Sequence, residues 1–224
     1  MMMNLFETFD PTINSINIQM NWIFMFIPMI LFPNKYWLIS SRIIMIFKLL
    51  IHYMFIEFKI IVMNKNTMNI YLFLSMMIYI MMLNLFSLIP YIFTLTSHLI
   101  FNLMMALSLW FSFMIYSLIN FPIKTLSHLV PLNSPKFLMN FMVIIELISM
   151  MIRPWTLSIR LSANLISGHL ILILLSNFMM NFFFLIPFSL IIQNLLLSLE
   201  ISMSMIQAYV FSILLILYFY ESIN

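Results

Sequence analysis

The segment "RLSANLISGH", Arg160 to His169, places an arginine, an asparagine and a histidine beside the chain's single glycine, inside a stretch that is otherwise nearly all hydrocarbon. A charge at the centre of a bilayer costs on the order of 3 kcal/mol on insertion scales, so such residues mark either an ion path or an ion pair. Further polar groups keep company with it. Glu146, Ser149, Arg153, Thr156, Arg160, Asn164 and Ser167 recur at steps of three and four, and Gln193, Glu200, Gln207 and Glu221 at seven or fourteen, with Ser204 between. Both patterns describe a polar stripe on one face of a helix. Imidazole and carboxylate groups exchange protons near neutral pH when burial and neighbours tune them, whereas a guanidinium keeps its proton. The chain therefore offers titratable groups on an inner side (Glu146, Glu221), titratable groups on an outer side (His169, Glu200), and a non-titrating cation, Arg160, between them.

That layout reads as two half-channels that do not join. This chain has no further membrane carboxylate to carry a proton past Arg160, so the carrier should belong to a partner. Ser162, Ala163, Ser167 and Gly168 are small residues that would let a partner helix approach closely; packing within the chain is the plainer use of them. Arg160 and Glu200 fall at similar depth on either side of a turn near Met179, which leaves a structural ion pair open as well. His169 falls on the opposite side of the helical wheel from Arg160. Arg153 could snorkel to headgroups or pair with Glu146. His98 and His128 sit in loops or at span ends, and Glu57 and Lys59 belong to a solvated face.

The elements that must position these groups follow from composition and length. The 224 residues are 65% hydrophobic and 7% charged, with 25 Met, 24 Phe, no Cys and a net charge of +3. A soluble chain averages about 25% charged residues, so this is an integral membrane protein. The small, scattered positive charge suggests no nucleic-acid surface. Four separated histidines and no cysteine suggest neither a metal site nor a cofactor, and one glycine cannot build a phosphate-binding loop. Heavy use of Met, Ile, Phe and Asn resembles AT-rich coding in a small organellar genome. The amino terminus "MMMNLFETFDP" carries Glu7 and Asp10 rather than a basic presequence, so insertion as synthesised is expected.

A bilayer core of about 30 Å needs roughly 20 apolar residues. The expected architecture is all-α: a first, proline-interrupted span over 22–38, an interfacial amphipathic helix over 40–66, a hairpin of spans at 68–89 and 99–120, and two long runs at 137–176 and 181–220. Ser41, Lys48, His52 and Lys59 share one face of the second segment, which suits the membrane surface. Its basic residues, with Lys124 and Lys136 of a later loop, place that side in the cytoplasm or matrix, with the acidic amino terminus outside. Each long run would measure about 60 Å as one helix, so it must tilt, break or supply two spans. The unbroken phase of the stripes favours two tilted helices in a hairpin. Pro154 leaves a break at "RPW" as the alternative.

Several co-linear motifs carry a resemblance along nearly the whole chain. "IELISMMIRPWTLSIRLSANLISGHL" resembles the signature helix of the subunit a family of rotary F-type ATP synthases, in its mitochondrially encoded insect form. "NLFETFDP", "NLFSLIPYIFTLTSHL", "SHLVPLNSP" and "LEISMSMIQAYVFSIL" resemble further segments of that family. The resemblance implies that Arg160 is the arginine facing a rotating ring of c subunits, that Glu200 and His169 line a channel from the intermembrane space, and that Glu146 and Glu221 serve the matrix channel. It places Asn164 and Gln207 near the arginine. It further implies the mitochondrial inner membrane, the c-ring and other membrane-sector subunits as partners, protons as the transported ion, and no catalysis by the chain itself. Trp155 and Ser162 depart from the family's commoner residues, a smaller side chain and threonine. From the residues alone two other classes stay open: a secondary transporter using Arg160 for an anionic substrate, and a purely structural membrane subunit.

Overall fold

A computed structural model describes the backbone of residues 9–11, 20–31, 39, 41–62, 67–89, 92–130, 136–181, 184 and 186–223. Those residues form helices and short connections, with no strand among them. A 3₁₀ stretch, Met20–Phe26, runs into α1, Ile27–Leu31. There follow α2 (Arg42–Val62), α3 (Thr67–Ser87), a 3₁₀ turn (Leu95–Ser97), α4 (Leu99–Asn120), α5 (Pro122–His128), α6 (Lys136–Asn181) and α7 (Ile186–Ile223).

Serine is frequent in these apolar helices because each hydroxyl is satisfied within its own helix. Ser75, Ser112, Ser158, Ser189 and Ser212 each donate to the carbonyl three residues back, at 2.6–2.9 Å. A hydroxyl so engaged enters an apolar setting without the cost of an unmade hydrogen bond. α5 opens on Pro122 at its first turn, where a missing N–H costs nothing.

Among the described residues four helices are long and apolar enough to cross a membrane: Asn69–Ser87, Leu99–Asn120, Leu138–Met179 and Ile186–Tyr220. α6 has 46 residues and α7 has 38, about 69 and 57 Å at 1.5 Å per residue. Both exceed a hydrocarbon core of about 30 Å, so both must tilt or project from it. Pro154 lies inside α6, which continues through it; the alternative of a break at Arg153–Trp155 is not what folds. The first long helix runs to Asn181, past the turn expected near Met179. Pro187 stands in the first turn of α7, where its missing N–H costs nothing.

The amino-terminal span expected over 22–38 is represented by a short apolar helix, Asn21–Ile30, and 32–38 lie outside the described residues. α2 carries Arg42, Lys48, Glu57 and Lys59 and is not among the helices apolar enough to cross. Arg42, Lys48, His52 and Lys59 are exposed, while Phe58 and Val62 are buried against the bundle. Glu57 is not simply solvated: it accepts a hydrogen bond of 2.9 Å from the Tyr209 hydroxyl of α7.

α7 packs against α2, α3, α4 and α6, and α4 also packs against α6. The main core joins Phe58 of α2, Ile70, Phe73 and Met77 of α3, Leu109 of α4, Leu157 and Leu161 of α6, and Ala208, Phe211 and Ile216 of α7. Phe73, Phe113 and Phe219 meet as a ring triad with centroids 5.4–5.6 Å apart. A second cluster, Leu83, Phe93, Leu95 and Phe101, gathers Trp22, Phe24 and Met25 around the α3–α4 connection. There the Tyr79 hydroxyl donates to the Met25 carbonyl at 3.2 Å.

Candidate functional site: a buried histidine–glutamate pair and an outward arginine

The hairpin of α6 and α7 brings His169 and Glu200 face to face, Nε2 to Oε1 at 3.7 Å. That is ion-pair range but too long for a hydrogen bond. The Glu200 side chain is 7% exposed and that of His169 17%. Among the described residues neither Glu200 oxygen nor His169 Nε2 has a hydrogen-bond partner. A buried carboxyl and imidazole without such partners form a costly arrangement, and two exchangeable groups so placed can receive and pass a proton.

Gly168 makes the approach possible. A Cβ at this position would stand 2.6 Å from Glu200 Oε1 and 2.8 Å from its Cδ, closer than real contacts allow. The sequence pattern assigned Gly168 to partner clearance; its clearance is instead for the carboxyl of α7. Ser162 needs the same correction. It is buried at 3% exposure, its hydroxyl reaching the carbonyls of Ser158 and Ile159 at 3.3 and 3.1 Å. Neighbours in sequence are not neighbours on a helix face: at about 100° per residue, Ser162 points roughly 200° away from Arg160.

Arg160 is exposed, and so are Ala163 and Ser167 on the same face, with Asn164 half-buried beside them. An adjoining face of α6, Leu157, Leu161 and Leu165, is buried in the bundle. Among the described residues no carboxylate stands within ion-pair distance of Arg160; Glu200 faces His169 instead. Nine residues separate Arg160 from His169, about 14 Å along the helix. The structural ion pair left open by the sequence is therefore not formed.

Glu146 is half-buried, four turns before Arg160 along α6 in the same helical phase, or about 21 Å. Glu221 belongs to the last turn of α7 and its side chain lies outside the described residues. Gln207 is half-buried two turns after Glu200 along α7. The Arg153 guanidinium lies 5.2 Å over the Tyr218 ring, a cation–π contact that links α6 to α7. Trp155 faces outward, half-exposed, and lines an apolar groove with Leu147, Ile148, Met151 and Ile152. His98 lies apart from the pair, between the rings of Trp22 and Phe93 at 5.5 and 5.2 Å. The His128 side chain lies outside the described residues.

Asn84, overlooked in the sequence pattern, is 1% exposed in the last turn of α3. Its Nδ2 donates to the Ser204 carbonyl at 3.4 Å, one turn from Glu200, and its Oδ1 is buried without a partner among the described residues. The signal was available: a lone amide amid the uncharged residues of "MMLNLFS".

Comparison with known proteins agrees along the whole chain. The ATP synthase subunit a of Apis mellifera ligustica is 64% identical over 222 residues, covering 99% of this chain and 98% of the relative. Those of Locusta migratoria and Drosophila yakuba are 46% and 42% identical, each covering 97% of this chain and 98% of the relative. The family model described as ATP synthase A chain matches residues 15–220. With its long helix hairpin, its buried histidine–glutamate pair and its outward arginine, the chain belongs to the ATP synthase A chain family.

Proposed function

We propose that this chain is the proton-translocating stator subunit of a rotary F-type ATP synthase in the mitochondrial inner membrane, non-catalytic by itself. Its amino terminus lies in the intermembrane space and its carboxyl terminus in the matrix. One observation supports the reading: a buried pair, His169 and Glu200, stands about 14 Å along α6 from an outward Arg160 that has no carboxylate within ion-pair distance among the described residues. Protons enter past His169 and Glu200 and neutralise a carboxylate on a c-ring subunit docked against the face bearing Arg160, Ala163 and Ser167. They travel with the ring and leave past Glu146 and Glu221, while Asn164 and Gln207 supply polar lining near the arginine.

Arg160 prevents a direct leak because it holds its proton, so no proton hops through it. It also attracts each ring carboxylate that has just lost its proton, while the direction of rotation follows from the proton gradient across the two half-channels. A membrane potential of 100 mV supplies about 2.3 kcal/mol per charge moved, and the block at Arg160 obliges that energy to pass through the ring.

The test is Arg160→Ala in the assembled complex in inner-membrane vesicles. Proton-driven ATP synthesis should be lost while the complex still assembles. Retained synthesis would sink the proposal and return the chain to a structural role; substrate-dependent uptake by the isolated chain would instead favour a transporter.

A further inference from the structure

The imidazole of His169 makes no hydrogen bond among the described residues, and its Nε2 is buried 3.7 Å from Glu200 Oε1. A histidine that relays protons ordinarily has its ring plane set by a hydrogen bond on the second nitrogen. Here the described contact that can set it is aromatic. The ring of Phe9, from the amino-terminal segment, meets the imidazole edge to face, with centroids 6.5 Å apart and planes at 80°.

We propose that Phe9 is a positioning residue for His169, holding the imidazole so that Nε2 faces the Glu200 carboxyl. This rests on the reading of His169 and Glu200 as the outer half-channel. The T-shaped geometry falls within the 4.5–7 Å range in which aromatic pairs attract. A phenyl ring suits the task because it has no donor or acceptor: it fixes a plane while leaving both imidazole nitrogens free to carry protons. A hydrogen-bonding neighbour would fix the ring as well but would occupy one of them. Phe9 is half-buried and followed by Asp10 and Pro11. Proline restricts its own φ and disfavours the helical region for the residue before it, so the backbone just after Phe9 is stiff.

The test uses the assembled complex in inner-membrane vesicles, with Phe9→Leu, Phe9→Tyr and Phe9→Leu combined with His169→Ala. Phe9→Leu keeps apolar bulk but loses the ring, and should lower proton conduction through the membrane sector roughly two- to ten-fold at unchanged assembly. Phe9→Tyr should restore it. In the His169→Ala background Phe9→Leu should add no further loss, because its effect passes through the imidazole. An equal loss in both backgrounds, or none in either, overturns the positioning role. If His169→Ala alone leaves conduction unchanged, the half-channel reading falls, and this role with it; if only the Phe9 variants are silent, the half-channel reading stands and Phe9 is packing.

Discussion

Gly168 and Glu200 are in contact at a point where no side chain fits: a Cβ on the glycine would stand 2.6 Å from Oε1 and 3.2 Å from Cγ of the glutamate. Gly168→Ala should raise the intrinsic helix preference of α6 by about 1 kcal/mol and yet impair function. The atoms in the way are the far end of a flexible side chain, so the Glu200 carboxyl moves while α6 and α7 keep their spacing. A displaced carboxyl no longer faces His169 Nε2. The expected outcome is normal assembly with proton conduction reduced about ten-fold, equivalent to about 1.4 kcal/mol. Conduction in membrane vesicles at wild-type level would show that Glu200 needs no such clearance.

The ring triad gives a prediction about stability alone. Phe219 contacts both Phe73 and Phe113, at 5.6 and 5.4 Å, tying α7 to α3 and α4. Within lipid, association of helices draws on packing rather than on escape from water, so the loss follows from the ring contacts. Two aromatic pairs at about 0.5–1.5 kcal/mol each give about 1–3 kcal/mol for Phe219→Ala. Leu217→Ala, at a more exposed position of the same helix, should cost less than half as much. Thermal unfolding of the chain in lipid nanodiscs checks both, and equal losses for the two variants would refute the triad's role.

The long helices were legible because a polar stripe that passes Pro154 without changing phase demands one continuous helix, and α6 is that helix. The opposition of His169 and Arg160 on the wheel was legible for the same reason, and hydropathy and length located two apolar helices near 68–89 and 99–120. What could not be read was pairing across the chain. Glu57 is exposed, as a solvated face implies, but its partner, Tyr209, is 152 residues away, and nothing near Phe9 in sequence hints at His169. Gly168 was assigned to the wrong neighbour because small size says that something approaches closely, not what approaches. Ser162 was misplaced by grouping residues by position instead of by direction.

Ser162, Ala163, Ser167 and Gly168 now divide into two sets, and the division can be tested by cysteine crosslinking, which the absence of native cysteine makes clean. Ala163 and Ser167 are exposed on the Arg160 face, whereas Ser162 is buried in the bundle. Ala163→Cys and Ser167→Cys should each form a disulfide with a cysteine placed on the outer helix of a c subunit. Ser162→Cys should not, because its Cβ points into α6's own packing and two Cα atoms more than about 7 Å apart cannot be bridged. Gly168→Cys would collide with Glu200 and is unsuitable as a probe. Efficient crosslinking at 162 with none at 163 or 167 would turn α6 by roughly half a turn relative to the ring. It would also remove Arg160 from the ring-facing surface on which the proposed mechanism depends.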